Sequence, residues 1–599
     1  MISIIEKLIS LQRLDHFDRY FVRLLQQLDP DAGPMVLLLT AFARKAVSAG
    51  HVCVELASLA KTPILAGEEE NRAVHEWWPP LAEMEEALAE SRLIGDGREV
   101  TPLVYEQGRL YLHRYWTYEQ GLAEAILARA DDADLAVDQE LVAADLAQVF
   151  ADQQGRINKE QYQACLQAAK KQLLIISGGP GTGKTTVVVR ILSQLLIQAK
   201  RTGAHRPRII LLAPTGKAAA RLTESIRQRK NDLLIAPEIK EEIPEQASTI
   251  HRALGYNPQK PTSFRHNRHN YLDGDIVIVD EASMVDMALM AKLFEAVSPL
   301  AKLILLGDKN QLASVEAGSI LGDICSVVAA DASTQPAAFP LADCVVSLSK
   351  SFRFALDRGI GSFAGAVEAG DIAQALAVLH DPAQPEISLL AADDQAAHSA
   401  GIDALILAGY QEMLTAGSPL AALENLSKFR VLCAHRRGPG GVGHFNLLTE
   451  KILKGQGLIS LDNIWYQGRP ILITANDYKL RLFNGDTGVV WPDAVDGTLK
   501  VFFPGSAPDS LRAFPPMRLP AHETAFAMTI HKSQGSEFDM VMLVLPNQES
   551  AVLTRELLYT GVTRAREQVV IVGSDQLVES ALNRRVNRVS GLGERIMAD

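Results

Sequence analysis

The chain has 599 residues, 47% hydrophobic and 22% charged, a composition that suits ordinary globular domains and, by length, about four of them. No run of about 18 apolar residues occurs, so a membrane-spanning helix is not expected. The formal net charge of −12 argues against a protein that coats nucleic acid by global charge, while leaving room for a locally basic groove or for partners that supply positive charge. The five cysteines (Cys53, Cys165, Cys325, Cys344, Cys433) are scattered, without a C-x-x-C pair or zinc spacing, which points to small buried thiols in a reducing cytoplasm. Met1 to Arg13 mixes charged and apolar residues and does not read as a signal peptide.

In chain order, residues 1–110 read as a mostly helical domain. Apolar positions recur at helical spacing in Ile4, Ile5, Leu8, Ile9 and Leu11, and again in Phe21, Leu24, Leu25 and Leu28. Trp77-Trp78-Pro79-Pro80 breaks the pattern and predicts a turn. Residues 111–155, acidic and alanine-rich toward their end, read as a linker. From about residue 156 the texture changes. Apolar runs at Leu173–Ile176, Ile209–Leu212, Ile276–Val279 and Leu303–Leu306 alternate with helical stretches, and each ends in a loop rich in Gly, Pro, Asp or Thr. That is the pattern of a parallel sheet with crossover helices. A second series, Val345–Leu348, Val431–Cys433, Ala525–Met528, Met540–Leu545 and Val569–Val572, implies a second such domain. The expected fold class is therefore α/β. Two tandem α/β domains, 156–345 and 346–448 with 521–599, flank a cleft. Residues 449–520, with strand-like runs at Ile471–Ile473, Thr487–Trp491 and Leu499–Phe503, read as a small inserted β-domain.

Gly178-Gly179-Pro180-Gly181-Thr182-Gly183-Lys184-Thr185 matches G-x-x-x-x-G-K-[ST] between a strand and a helix, the context a phosphate-binding loop requires. Its glycines let backbone N–H groups turn in on phosphates, and the helix N-terminus adds partial positive charge. Lys184 is expected on the β- and γ-phosphates and Thr185 on Mg²⁺, with Thr186 closing the nucleotide-binding stretch. Val277-Ile278-Val279-Asp280-Glu281 is a Walker B arrangement. Asp280 is placed to hold Mg²⁺, and Glu281 to act as general base on water, which favours hydrolysis over transfer. In Leu306-Gly307-Asp308-Lys309-Asn310-Gln311-Leu312, Gln311 is a neutral amide placed to touch the γ-phosphate.

Leu-Gly-Asp-x-x-Gln-Leu after Asp-Glu-Ala resembles motif III of superfamily 1 helicases, and the other motifs of that pattern follow in order. Asn158-Lys159-Glu160-Gln161 looks like the Q-motif, with Gln161 on the adenine edge. Ala213-Pro214-Thr215-Gly216-Lys217-Ala218-Ala219 and Ser248-Thr249-Ile250-His251-Arg252 look like the strand-gripping motifs Ia and Ib. Lys350-Ser351-Phe352-Arg353 looks like motif IV, Thr529-Ile530-His531-Lys532-Ser533-Gln534-Gly535-Ser536-Glu537 like motif V, and Tyr559-Thr560-Gly561-Val562-Thr563-Arg564-Ala565-Arg566 like motif VI. The resemblance makes Arg353 and Arg564 arginine fingers. It makes Thr215, Lys217, His251, Thr529, His531 and Lys532 DNA-binding residues.

The motif wording is most similar to the RecD family, the alpha-subunit family of exodeoxyribonuclease V. That resemblance implies two RecA-like motor domains, a partner-docking N-terminal domain and a Src-homology-3-like barrel for the insert. It implies an ATP- and Mg²⁺-dependent 5′-to-3′ DNA helicase that works with RecB and RecC in double-strand break repair, on single-stranded and duplex-end DNA, without a nuclease site of its own. The alternatives are a stand-alone RecD-like helicase, a scaffolding subunit whose nucleotide site gates assembly, and a small-molecule kinase. The intact Lys184, Asp280, Glu281, Gln311, Arg353 and Arg564 argue against the scaffold, and the strand-gripping motifs argue against the kinase. Arg227-Gln228-Arg229-Lys230 and Arg265-His266-Asn267-Arg268-His269 are further basic stretches. The second lies where related helicases carry a duplex-splitting pin.

Overall fold

The strand Leu173–Gly178 is apolar at nearly every position because it is covered on both faces. In the computed structural model, which describes residues 2–69, 72–131, 138–151, 157–257, 259–331, 340–354, 358–391, 395–505 and 509–598, it lies second in a six-stranded parallel sheet. The order is Val345–Leu348, Leu173–Gly178, Lys302–Gly307, Ile276–Val279, Ile209–Ala213, Ala247–Thr249. Alternate side chains feed two cores: Leu173, Ile175, Leu303 and Leu305 on one face, Leu174, Ile176, Ile304 and Leu306 on the other. The helix Lys184–Thr202 leaves the first turn after this strand and stops at Gly203, whose φ of +64° is a left-handed cap.

One expectation is corrected here. Val345–Leu348 does not begin the second domain. It is the edge strand of the first sheet, paired in parallel with the P-loop strand from Val345↔Ile175 to Leu348↔Gly178. A short apolar run carries no mark of the sheet it joins, and register against its neighbour decides. The second parallel sheet runs Ile387–Ala391, Ala565–Gly573, Phe538–Val544, Phe429–Cys433, Ala527–Thr529. Its first strand carries no motif and was not among the expected runs. Between the helix Val442–Gly455 and the strand Ala527–Thr529 sits an antiparallel sheet in the order Leu511–Phe514, Leu499–Pro504, Thr487–Pro492, Pro470–Ile473, His522–Thr524.

The N-terminal region departs from the mostly helical expectation. Helices Ile2–Ser10, His16–Leu28, Pro34–Ser48 and Leu81–Ala89 share a core with a four-stranded sheet of Cys53–Glu55, Arg109–Leu112, Leu103–Glu106 and Ile94–Gly95. These strands are two to four residues long, too short to register as a period. The expected turn after the tryptophans lies between the strand Arg72–Trp77 and the helix Leu81–Ala89, where Trp78 is buried edge-on against Phe42 at 5.1 Å.

Residues 111–155 hold two packed helices among their described positions. His113–Ala130 delivers Arg129 to the carbonyls of Val297, Ser298 and Ala301. Gln139–Val149 buries Val142, Leu146 and Val149 with Leu192 of the P-loop helix. The chain also returns at its end. Leu577 and Val578 belong to the core of the second lobe, whereas Leu592 and Ile596 of the helix Leu592–Ala598 are fully buried in the core of the first.

Candidate active site

The first parallel sheet points the carboxyl ends of its strands toward the seam between the lobes, the place where open α/β sheets bind ligands, and the second presents there the amino ends of Phe538–Val544 and Ala565–Gly573. A cavity of about 630 Å³ lies there. It is lined by Gly179 to Thr186, Asp280, Glu281 and Gln311 from the first lobe, and by Phe352, Arg353, Glu537, Arg564 and Arg566 from beyond it. Gly178, at the end of its strand, sits just behind this wall.

The P-loop is held open by its own chemistry. Gly181 and Gly183 have φ of +79° and +83°, a region closed to most side chains. A Cβ on Gly181 would stand 2.4 Å from that of Arg353. Thr182 Oγ1 donates to the Gly179 carbonyl at 2.8 Å. Lys184 Nζ donates to the carbonyls of Gly178 at 2.6 Å and Gly179 at 3.2 Å. Gln161 is buried, its amide nitrogen on the Thr182 carbonyl at 3.3 Å and its Oε1 buried without a partner among the described residues. Such an orphaned acceptor fits an exocyclic amino group. Thr185 and Thr186 line the same cavity, half-buried at the start of the helix.

Asp280 follows the strand Ile276–Val279, and its Oδ1 accepts from the Glu281 amide at 2.9 Å. Burial, and then the neighbouring Glu281 charge, push its carboxyl up to about 6. Two crowded carboxylates beside a hydroxyl are a donor set that a hard divalent cation relieves. No group of three or more His, Cys, Asp or Glu side chains forms a cage among the described residues, so such a cation would draw its remaining oxygens from phosphate and water. Glu281 adopts φ +53°, a strained conformation of the kind found at functional positions. Gln311 is buried. Its amide nitrogen is tied to Asp308 Oδ2 at 2.9 Å, and its Oε1 has no partner among the described residues. Its free end is an acceptor in this assignment, which suits a water or a guanidinium better than a phosphate oxygen.

The arginines arrive from the other side. The Phe352 amide donates to the Gly181 carbonyl at 2.8 Å, which lashes this segment to the P-loop. Arg353 bonds Glu537 through Nη2, and its Nη1 is buried without a partner among the described residues. Burial, and then the Arg221, Arg564 and Arg566 charges, push it down to about 9. Arg564 is buried, donating to the carbonyls of Thr560 at 3.1 Å and Ser536 at 3.4 Å. The structure brings together Gln161, the P-loop, Asp280, Glu281, Gln311, Arg353 and Arg564.

The expected strand-gripping residues fall along the same seam but not in one cluster. Thr215 caps the helix Gly216–Asp232, accepting from the Ala218 amide. Lys217 lies against Gly485, in the turn ahead of the inserted strand Thr487–Pro492, and burial, with Arg430 nearby, pushes its ammonium down to about 7. A Cβ on Gly535 of motif V would stand 3.7 Å from Ala218, so the segments 213–219 and 529–537 of the two lobes touch. Thr529 Oγ1 accepts from the Lys532 amide, and Lys532 Nζ pairs with Glu523 at 2.7 Å. His531 is half-buried, with its pKa lowered by burial and then by the Arg588 charge. His251 sits apart, edge-on to Tyr256 at 5.6 Å and tilted against Phe264 at 6.0 Å. The basic loop 265–269 extends from the Lys260–Phe264 strand of that same hairpin. Arg227 to Lys230 lie on the helix Gly216–Asp232, where Lys230 pairs with Glu245.

Three groups of the site escaped the sequence reading. Glu537 and Tyr559 stood within recognised motifs without a role. The Tyr559 hydroxyl bonds Asp308 and would meet a Cβ on Gly179 at 2.8 Å. Arg221 went unnoticed, although it follows Lys217 by four residues on one helix face.

Three family models match: an AAA domain over residues 161–317, the RecBCD enzyme subunit RecD N-terminal domain over 10–111, and the UvrD-like helicase C-terminal domain over 524–572. The RecBCD enzyme subunit RecD of Mycolicibacterium smegmatis is 39% identical, over 95% of this chain and 94% of its own. That of Haemophilus influenzae is 32% identical over 99% of both. The ATP-dependent RecD2 DNA helicase of Deinococcus radiodurans is 31% identical over 82% of this chain but only 59% of its own.

Proposed function

This chain belongs to the RecD family of RecBCD enzyme subunits, and on that premise we propose that it is the ATP-driven, 5′-to-3′ helicase subunit of a RecBCD-type exodeoxyribonuclease V. The carrying observation is the single cavity lined at once by the P-loop, Asp280, Glu281 and Gln311 from one lobe and by Arg353 and Arg564 from beyond the seam.

In this reading the P-loop amides and Lys184 take the phosphates, and Gln161 Oε1 accepts from the adenine amino group. Glu281 removes the proton from the attacking water, which Gln311 helps to place. Arg353 and Arg564 stabilise charge on the transferring phosphoryl group, an effect that in related sites reaches about 10³-fold or more. Thr185 and Asp280 would hold Mg²⁺, which would supply neutralisation of phosphate charge. Arginines offered across a seam make closure depend on the γ-phosphate. Closure moves the grips of the first lobe (Thr215, Lys217, His251) against those of the second (Thr529, His531, Lys532). Contacts to backbone phosphates make such binding sequence-tolerant and salt-sensitive.

RecB and RecC are the proposed partners, in a cytoplasmic complex. The helix His16–Leu28 presents Phe17, Tyr20, Leu24 and Leu28 on one stripe, each more than half exposed, an apolar face of the kind that partners cover. The five-stranded antiparallel insert is the element that this reading assigns to the family's small barrel.

Strand displacement tests the reading, on duplexes with a single 5′ or 3′ tail, for the chain alone and with RecB and RecC. Unwinding from the 5′ tail is expected. Lys184→Gln is expected to bind DNA yet neither hydrolyse ATP nor unwind, and normal unwinding by that variant overturns the reading. Activity of the chain alone, undiminished without partners, would favour the stand-alone alternative.

A further inference from the structure

We propose that Arg221 is a third arginine on the triphosphate, supplied by the first lobe, and that Glu537 is the positioning residue that presents Arg221 and Arg353 together. The inference rests on the ATP-site reading above and adds residues to it.

Glu537 stands at the end of the motif V loop, its side chain only 10% exposed. Its Oε1 takes both the Arg221 guanidinium and Nη2 of Arg353, while its Oε2 accepts from Arg566 Nε at 3.2 Å. Arg564 lines the same wall. Three guanidinium groups thus gather around one carboxylate, from three separate stretches of chain. A structural network would balance its charges, because buried unpaired cations are costly. Here Asp539 shares Arg566, so the one charge of Glu537 is left to Arg221 and Arg353 together, and both guanidinium groups line the cavity. A second observation gives the direction. Arg353 is held by one edge only, and its other amino group, Nη1, is buried without a partner among the described residues. A guanidinium pinned on one side and vacant on the other is set to receive an oxyanion in its fork.

The position of Arg221 adds a consequence. It rises from the helix Gly216–Asp232, the element that carries Thr215 and Lys217 at its start. Glu537 closes the loop that carries Thr529 and Lys532. The Arg221–Glu537 pair therefore joins the two strand-gripping motifs at the wall of the nucleotide site. A terminal phosphate that engages Arg221 and Arg353 reaches both grips through one carboxylate. A diphosphate lacks the group that spans these cations, so the pair would make the site discriminate by phosphate count.

The test uses the full chain and two readouts. The first is equilibrium binding of a non-hydrolysable ATP analogue and of ADP, followed by displacement of a fluorescent nucleotide. The second is steady-state hydrolysis on single-stranded DNA. Arg221→Gln is expected to lower analogue affinity about 10-fold relative to ADP and kcat about 100-fold, in the range for a lost charge-stabilising donor. Arg221→Lys should recover part of the binding preference. Glu537→Gln is expected to cut kcat about 10- to 100-fold with KM nearly unchanged, and to add little once Arg353→Gln is present, as for residues that act as one unit. Arg221→Gln with an unaltered analogue-to-ADP ratio and kcat overturns the inference. So does Glu537→Gln that only lowers the melting temperature. Lys184→Gln separates the two claims. If it still hydrolyses ATP, the ATP-site reading fails. If it is inactive while Arg221→Gln behaves as wild type, only the present inference fails.

Discussion

Asp280 shows how one side chain ties nucleotide binding to pH. Burial and the adjacent Glu281 hold its carboxyl near pH 6. A protonated Asp280 offers no charge to a cation, so the Mg²⁺-dependent part of nucleotide affinity should be complete above about pH 7 and fall as pH drops through about 6. Titrating analogue affinity against Mg²⁺ at a series of pH values checks this, and Asp280→Asn should flatten the profile. A profile that stays level in the unaltered chain would show that Asp280 does not hold the cation. Lys217 runs the other way. Burial pushes its ammonium down to about 7, so it is a cation below that pH and neutral above it. DNA affinity should therefore weaken as pH rises through about 7, and Lys217→Met should remove that step while lowering affinity at acidic pH. An identical pH profile for Lys217→Met, read by fluorescence anisotropy of a labelled single strand, would remove Lys217 from the strand path.

At the scale of elements, the glycines show where backbones approach too closely for a side chain. Gly409 lies in the helix Gln395–Leu414, and a Cβ there would stand 2.1 Å from the Phe429 ring. That ring packs edge-on with Tyr410 at 5.0 Å inside the second lobe's core, so it has little room to retreat. Gly409→Ala should destabilise the lobe by about 1–3 kcal/mol, the usual cost of overpacking. Thermal unfolding with nucleotide affinity as a control measures it, and an unchanged melting temperature would mean that helix and sheet separate freely. Gly181 faces a different constraint. Its left-handed φ and its closeness to Arg353 make any side chain there a disturbance of the P-loop and the motif IV segment together. Gly181→Ala is expected to lose nucleotide binding with the fold retained.

At the scale of the whole molecule, the chain leaves the first lobe after Leu348 and returns to it through 583–591. In that return the Arg588 guanidinium donates to the Ser314 carbonyl at 2.6 Å and to those of Glu316, Gly318 and Gly50. The Val589 amide donates to His51 Nδ1 at 3.0 Å, and Glu119 collects Ser590, Gly591 and Arg595. The loop that Arg588 holds continues from Leu312, whose amide and carbonyl bond Thr560 and Gln534 of the second lobe. Motif III is thus fastened both to the motor seam and, through the C-terminal strap, to the N-terminal region. Arg588→Ala should speed amide exchange across 312–318, where the Gly318 amide donates to Gly50, by an amount matching the loss of about 2 kcal/mol of charged hydrogen bonding. Exchange at the wild-type rate would show that the strap does not hold this loop. Replacing Phe17 and Leu24 by serine should weaken co-purification with RecB and RecC and leave nucleotide affinity intact. Undiminished co-purification would move the docking face elsewhere.

The sequence alone determined the nucleotide chemistry and the helicase lineage. A P-loop, a Walker B pair and ordered motifs are local demands of backbone and charge, legible wherever a strand, a turn and a helix lie side by side in the chain. It also revealed the parallel sheets, because strands buried on both faces must be apolar throughout. Only the tertiary structure decided that Val345–Leu348 joins the first sheet, that His113–Ala130 and Gln139–Val149 are packed helices, and that the last helix returns to the first lobe. It alone showed Glu537 gathering Arg221, Arg353 and Arg566, which come from three distant stretches of the chain. Register, packing and ion pairing between distant segments depend on where the chain is in space, and no local pattern of residues encodes that.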